Sequence, residues 1–141
     1  AMTNFGTYDF LKKYAEEKNV RVKFLGFRKD IPELNKCADI AVLPSLREGL
    51  GLAGIEALAS GVPVIGSRVQ GIKDYVIDGK TGYLCSPLNA DEFADKIKLL
   101  SDVNLRRSMK NACIDKAEEF RMYISHKQMS EIYEQLLAKK S

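Results

Sequence analysis

Residues Ile40 to Gly61 constrain this chain more than any other stretch. Ile40-Ala41-Val42-Leu43 is a short apolar run that reads as a buried strand. A turn containing Gly49 and Gly51 follows. The apolar segment after it ends at Gly61, a residue common just past a helix. The reading is therefore strand, glycine-rich loop, buried helix. Glycines let backbone come close to a ligand, and a helix start offers unpaired N–H groups with a partial positive charge, which suits a phosphate. Glu48 falls in the loop and Glu56 about one turn into the helix. Helical side chains lean toward the N-terminus, so Glu56 can reach back toward the place Glu48 faces. Carboxylates accept hydrogen bonds, and two beside a phosphate site suit sugar hydroxyls, with a bidentate grip on a diol suiting ribose.

The rest of the chain alternates strand and helix signals, which argues for a mostly parallel α/β sheet. Ala1-Met2 reads as a cloning remnant and Thr3–Gly6 as a loop. Thr7 is placed to cap a helix with Tyr8, Leu11, Tyr14 and Ala15 on one face. Strands are expected near 20–25, 39–43, 63–66 and 83–85. The strand near 20–25 is expected to lie beside another strand, whether from this chain or from a partner. Asp30 and Glu33 have capping-box spacing, with Pro32 in the first turn and Leu34, Cys37 and Ala38 forming a buried face. Residues 72–77 read as a short helix and 78–82 as a turn. Asn89 with Glu92 caps a helix burying Phe93, Ala94, Ile97 and Leu100; Leu105, Met109, Ala112 and Phe120 line another. Met129, Ile132, Tyr133, Leu136 and Leu137 make an apolar face on a last helix, expected to pack on this same domain.

A chain of 141 residues is one domain's worth and long enough for a real core. Its net charge of +3 is spread without the blocks or aromatic interleaving of a nucleic-acid groove, so no nucleic acid is expected as a partner. A weak attraction to anionic lipid is the smaller expectation from that charge. No apolar run has the length of a membrane span. Cys37, Cys85 and Cys113 are unpaired by spacing and read as reduced, half-buried thiols of a cytosolic protein. With a lone His126 and no Cys-x-x-Cys, a metal site built by the protein is not expected.

Seven pieces, in order, carry a resemblance that covers roughly residues 20 to 100. They are Phe24-Leu25-Gly26-Phe27; Asp30-Ile31-Pro32-Glu33-Leu34; Val42-Leu43-Pro44-Ser45; Glu48 and Glu56 with seven residues between them; Gly61-Val62-Pro63-Val64-Ile65; Gly71; and Asp78-Gly79-Lys80-Thr81-Gly82-Tyr83-Leu84. Two glutamates at this spacing are ordinary on any amphipathic helix; the ordered string is not. It resembles the C-terminal, donor-binding domain of the retaining family-4, group 1 glycosyltransferases, which have the GT-B fold. The resemblance implies transfer of a sugar from a nucleotide diphosphate sugar to an acceptor hydroxyl with retention, in polysaccharide or glycolipid assembly, without a cofactor.

By the same resemblance Glu48 is the catalytic candidate, facing the donor hexose, and Glu56 accepts from the ribose hydroxyls. Backbone N–H groups of Gly51 and Leu52 hold the phosphates. Gly49 and Leu50 shape the sugar pocket. Gly26, Phe27 and Arg28 border the base, with core filling favoured for Phe27. Gly71 approaches the sugar. The family usually has a glycine pair where this chain has Gln70-Gly71, which leaves the tightness of that turn open.

The family's sheet has about six strands in the order three-two-one-four-five-six, and the first two have no counterpart here. The expectation is a Rossmann-like sheet lacking its first two strands. Residues 1–141 are then the nucleotide-sugar-binding part of a two-domain enzyme whose N-terminal acceptor domain is absent, inactive as an isolated chain. The alternatives are re-pairing of the sheet or strand exchange with a second copy. The location implied is cytoplasmic, at most peripheral to the inner membrane face. A non-catalytic nucleotide-binding or interaction module of similar fold is the other functional reading.

Overall fold

The computed structural model of the chain describes residues 5–138. The reading of Ala1-Met2 lies outside them. In order, the elements are α1 (Phe5–Glu17), α2 (Ile31–Lys36), β1 (Ala41–Leu43), α3 (Leu52–Ala59), β2 (Val64–Ser67), a 3₁₀ turn (Ile72–Asp74), β3 (Gly82–Cys85), α4 (Ala90–Leu99), α5 (Val103–Glu118) and α6 (Met122–Ala138). The sheet has the order β1-β2-β3 and all its pairings are parallel, with Ala41 opposite Val64 and Val64 opposite Gly82. This is the parallel, Rossmann-like α/β architecture expected from the alternation of elements.

The core lies around β2, which is buried along its whole length. Buried strands of parallel sheets carry apolar side chains on both faces, and Val64 and Ile65 are fully buried here. Ile55, Ala57 and Leu58 of α3 meet Met109, Cys113 and Ala117 of α5 in the same core cluster, with Leu84 of β3 and Phe93 of α4. The expected cap on α4 forms: the Asn89 side chain accepts from the Glu92 N–H at 3.1 Å, and the Glu92 carboxylate accepts from the Ser86 N–H at 2.7 Å. Gly61, at φ 77°, follows α3 as the glycine after a helix.

Several expectations are corrected. Residues 20–25 form no strand and lie beside none among the described residues of this chain; Val20, Val22 and Leu25 are all substantially exposed. Alternation alone does not make a strand, because its N–H and C=O groups need a paired neighbour. The segment leans instead on α1, with the Tyr8 and Phe24 rings 4.7 Å apart. α1 starts at Phe5, so Thr7 lies inside it rather than capping it, and residues 5–6 are helical rather than loop.

Asp30 makes no capping hydrogen bond to α2; its carboxylate pairs with Arg28. That guanidinium, by hydrogen bond and charge, holds the Asp30 carboxyl below its usual range. α2 buries no residue, and Cys37 is exposed. Phe27 is 90% exposed rather than core. The helix expected at 72–77 is a single 3₁₀ turn. α6 buries no residue: Met129, Ile132, Tyr133, Leu136 and Leu137 keep their apolar face in the open instead of packing on this domain. Amphipathic spacing states that a helix has a face to bury and does not state where.

Candidate functional site at the start of α3

In open parallel α/β sheets, ligands bind beyond the carboxyl ends of the strands. Here the chain leaves β1 at Leu43 and enters the loop Pro44–Gly51, which delivers it to α3. Glu48 is half-buried in that loop. Its Oε1 accepts from the Gly49 N–H at 3.1 Å, and the Ser45 hydroxyl reaches its Oε2 in a loose 3.5 Å contact. These contacts fold the carboxylate back over its own loop. Glu56 is exposed, on the second turn of α3. Gly49, Leu50 and Leu52 are exposed and Gly51 partly so.

Gly51 is the N-cap of α3, with φ 68° and ψ 56°, and it has no side chain with which to cap. The helical hydrogen bonding begins with the Gly54 N–H donating to the Gly51 carbonyl at 2.9 Å. The N–H groups of Gly51, Leu52 and Ala53 thus have no hydrogen-bond partner among the described residues. Such a cluster, with the positive end of the helix dipole behind it, is a ready-made site for an anion. The sequence places no Ser, Thr, Asp or Asn at the cap to occupy it.

Two contacts from the segment after β2 fix this loop. Gly71, at φ 84°, lies so close to the Gly49 carbonyl that an added Cβ would stand 2.2 Å from its oxygen and 3.1 Å from that of Glu48. The turn is tight despite Gln70, which resolves what the sequence left open. Tyr75, fully buried, donates its hydroxyl to the Gly51 carbonyl at 3.1 Å. Burial, with a smaller contribution from the charge of Glu48, pushes the phenol up to about 12. Tyr75 was not singled out from sequence. Its signal was present only in combination: an aromatic in an apolar register, facing a helix start that carries glycines at positions 51 and 54.

Gly26, Phe27 and Arg28 are exposed. Among the described residues, Arg28 spends its side-chain hydrogen bonds on Asp30. The site therefore divides: Glu48, Gly49, Gly51, Leu52 and Gly71 are joined through one tight loop, whereas the 26–28 turn belongs to the α1–α2 connection. Among the described residues no three His, Cys, Asp or Glu side chains gather as a metal would require, and no helix is long and apolar enough to cross a membrane.

Comparison with known proteins places the chain in a family. A model of the glycosyl transferases group 1 matches residues 6–120. N-acetyl-alpha-D-glucosaminyl L-malate synthase of Bacillus anthracis is 44% identical over 90 residues, covering 63% of this chain and 24% of that protein. D-inositol 3-phosphate glycosyltransferase of Corynebacterium glutamicum is 34% identical over 137 residues, covering 94% and 33%. Among solved structures, sucrose-phosphate synthase from Thermosynechococcus elongatus matches with a TM-score of 0.84 at 31% identity, covering 95% of this chain and 35% of that one. Anabaena Alr3699/HepE, in complex with UDP-glucose, matches with a TM-score of 0.85 at 26% identity, covering 95% and 38%. The chain spans about a quarter to a third of the length of the curated relatives it matches. The ordered motifs, the parallel sheet and the family match over most of the chain lead to one conclusion: the chain belongs to the glycosyl transferases group 1, with the GT-B type of α/β fold.

Proposed function

We propose that the chain is the donor-binding part of a retaining glycosyltransferase that moves a sugar from a nucleotide diphosphate sugar to an acceptor hydroxyl. One observation carries the reading: in the loop at the carboxyl end of β1, three N–H groups without a partner among the described residues lie with the Glu48 carboxylate, and Gly71, from the segment after β2, packs against that loop. In this reading the N–H groups of Gly51 and Leu52 bind the diphosphate and stabilise the charge that grows on it as the glycosidic bond to the sugar breaks. Fixed donors aimed at a developing oxyanion need no rearrangement at the moment of reaction.

Glu48 faces the hexose, where its acceptor oxygens hold hydroxyls or stabilise positive charge at the anomeric carbon. Glu56 takes the ribose diol. Gly49 and Leu50 wall the sugar pocket, and Gly71 comes against the sugar. Gly26, Phe27 and Arg28 border the base, and the 90% exposure of Phe27 leaves its ring free to stack. Departure on one face with attack from the same face accounts for retention without a covalent step. A second domain, preceding this one in the whole protein, supplies the acceptor site, with a cytoplasmic role in polysaccharide or glycolipid assembly.

The nucleotide most favoured is a uridine diphosphate, since the structurally similar Anabaena protein was solved with UDP-glucose and a similar Escherichia coli galactosyltransferase is named for UDP-Gal. The test is a calorimetric titration of the chain with UDP, GDP and ADP. Saturable binding that ranks UDP first supports the proposal. Equal, non-saturating heats from all three would contradict it.

A further inference from the structure

We infer that Tyr75 is a positioning residue of the anion-binding turn, aiming the Leu52 N–H by holding the Gly51 carbonyl. The inference rests on the donor-site reading above for what that N–H meets, and on geometry alone for how it is held. The Gly51 carbonyl and the Leu52 N–H belong to one planar, trans peptide unit, so they point in opposite directions. Fixing one fixes the other.

The Gly51 oxygen is held by two donors: the Tyr75 hydroxyl at 3.1 Å and the Gly54 N–H at 2.9 Å. An amide whose oxygen accepts two hydrogen bonds is also more polarised, which strengthens its N–H as a donor. That N–H has no partner among the described residues.

The phenol is itself immobilised. Tyr75 is fully buried, and its ring meets Phe120 edge-on at 6.1 Å. Its own carbonyl accepts from the buried Thr81 hydroxyl at 2.9 Å, and that hydroxyl accepts from the Ile77 N–H at 2.8 Å. At the other end the hydroxyl stands where side chains on the helix would begin: a Cβ would lie 2.7 Å from it at Gly51 and 2.3 Å at Gly54. Both positions have to be glycine for the phenol to reach the carbonyl. Phenylalanine would fill the same space; the hydroxyl adds a donor against the peptide that carries the Leu52 N–H, one of the three open at the start of the helix.

The experiment uses Tyr75→Phe, which keeps the ring and removes the hydroxyl. Amide resonances of wild type and variant are compared without ligand, and then titrated with UDP and with uridine. The expected result is an upfield move of the Leu52 amide proton, UDP binding weakened about three- to tenfold, and unchanged binding of uridine, which has no phosphate. A Leu52 amide unmoved by the substitution overturns the inference whether or not nucleotide binds. So does a variant that binds UDP as wild type does, or one that loses UDP and uridine equally, as a merely structural role would. Failure of the wild-type chain itself to bind UDP contradicts the donor-site reading instead, and the Leu52 resonance still decides whether the hydroxyl aims the peptide.

Discussion

Gly71 packs against the Gly49 carbonyl with no room for a side chain: a Cβ there would lie 2.2 Å from the oxygen. The contact joins the segment after β2 to the loop after β1 and closes the candidate site on one side. Gly71 also has φ 84°, where a side chain is strained whatever the space. Gly71→Ala is therefore expected to cost at least about 2 kcal/mol of stability and to shift the loop that carries Glu48. Urea denaturation measures the first effect. A variant as stable as wild type would show that the loop moves aside freely.

Glu56 is exposed on α3, so its removal should leave the fold alone. Glu56→Ala is expected to unfold within about 0.5 kcal/mol of wild type while weakening UDP at least about tenfold, the scale of hydrogen bonds to a charged acceptor. Comparing melting curves with titration heats checks both halves. Equal UDP affinity in the two proteins would remove Glu56 from the site.

The three cysteines should separate by reactivity. Cys37 is exposed, while Cys85 and Cys113 are buried, and burial pushes both buried thiols up, Cys113 to about 11. The thiolate is the reactive form. A thiol reagent at pH 8 is expected to modify one cysteine quickly in the folded chain and all three after denaturation. Three fast thiols in the folded state would mean that the α3–α5 core is open.

The same burial makes the fold sensitive to alkali. Cys113 titrates at about 11 and Tyr75 at about 12 in the folded chain, against ordinary values of 9.0 and 10.0. Between about pH 9 and 12 the unfolded chain releases protons that the folded chain keeps, so unfolding becomes easier as the pH rises. The stability these two groups contribute is fully present below about pH 9 and is lost as pH climbs through their folded values. Denaturation midpoints should be insensitive to both groups at pH 7–8 and fall at pH 10–11. Midpoints flat through pH 11 would contradict their burial.

What could be read from sequence was what local chemistry decides. Val64-Ile65-Gly66, opened by Pro63, reads as a short buried strand. Asn89 with Glu92, and Gly61 after an apolar helix, are capping signals whose partners lie within a few residues. The loop from Pro44 to Gly51 was legible for the same reason. Residues 20–25 and α6 were misjudged because their patterns call for partners that the pattern cannot supply: a paired strand edge in one case, a surface to cover in the other. Asp30 was misjudged because Arg28, two residues away, competes for the carboxylate that capping would use. Tyr75 was missed because its role depends on a helix start 24 residues earlier in the chain, a distance at which sequence spacing is silent.

In the proposed site the start of α3 receives a diphosphate. This is tested most directly by following the amide resonances of Gly51, Leu52 and Ala53 while UDP is added. These three are expected to move together and saturate, with downfield proton shifts as their N–H groups, without partners among the described residues, gain an anionic acceptor. Saturable binding that leaves all three unmoved, and shifts resonances elsewhere, would contradict it.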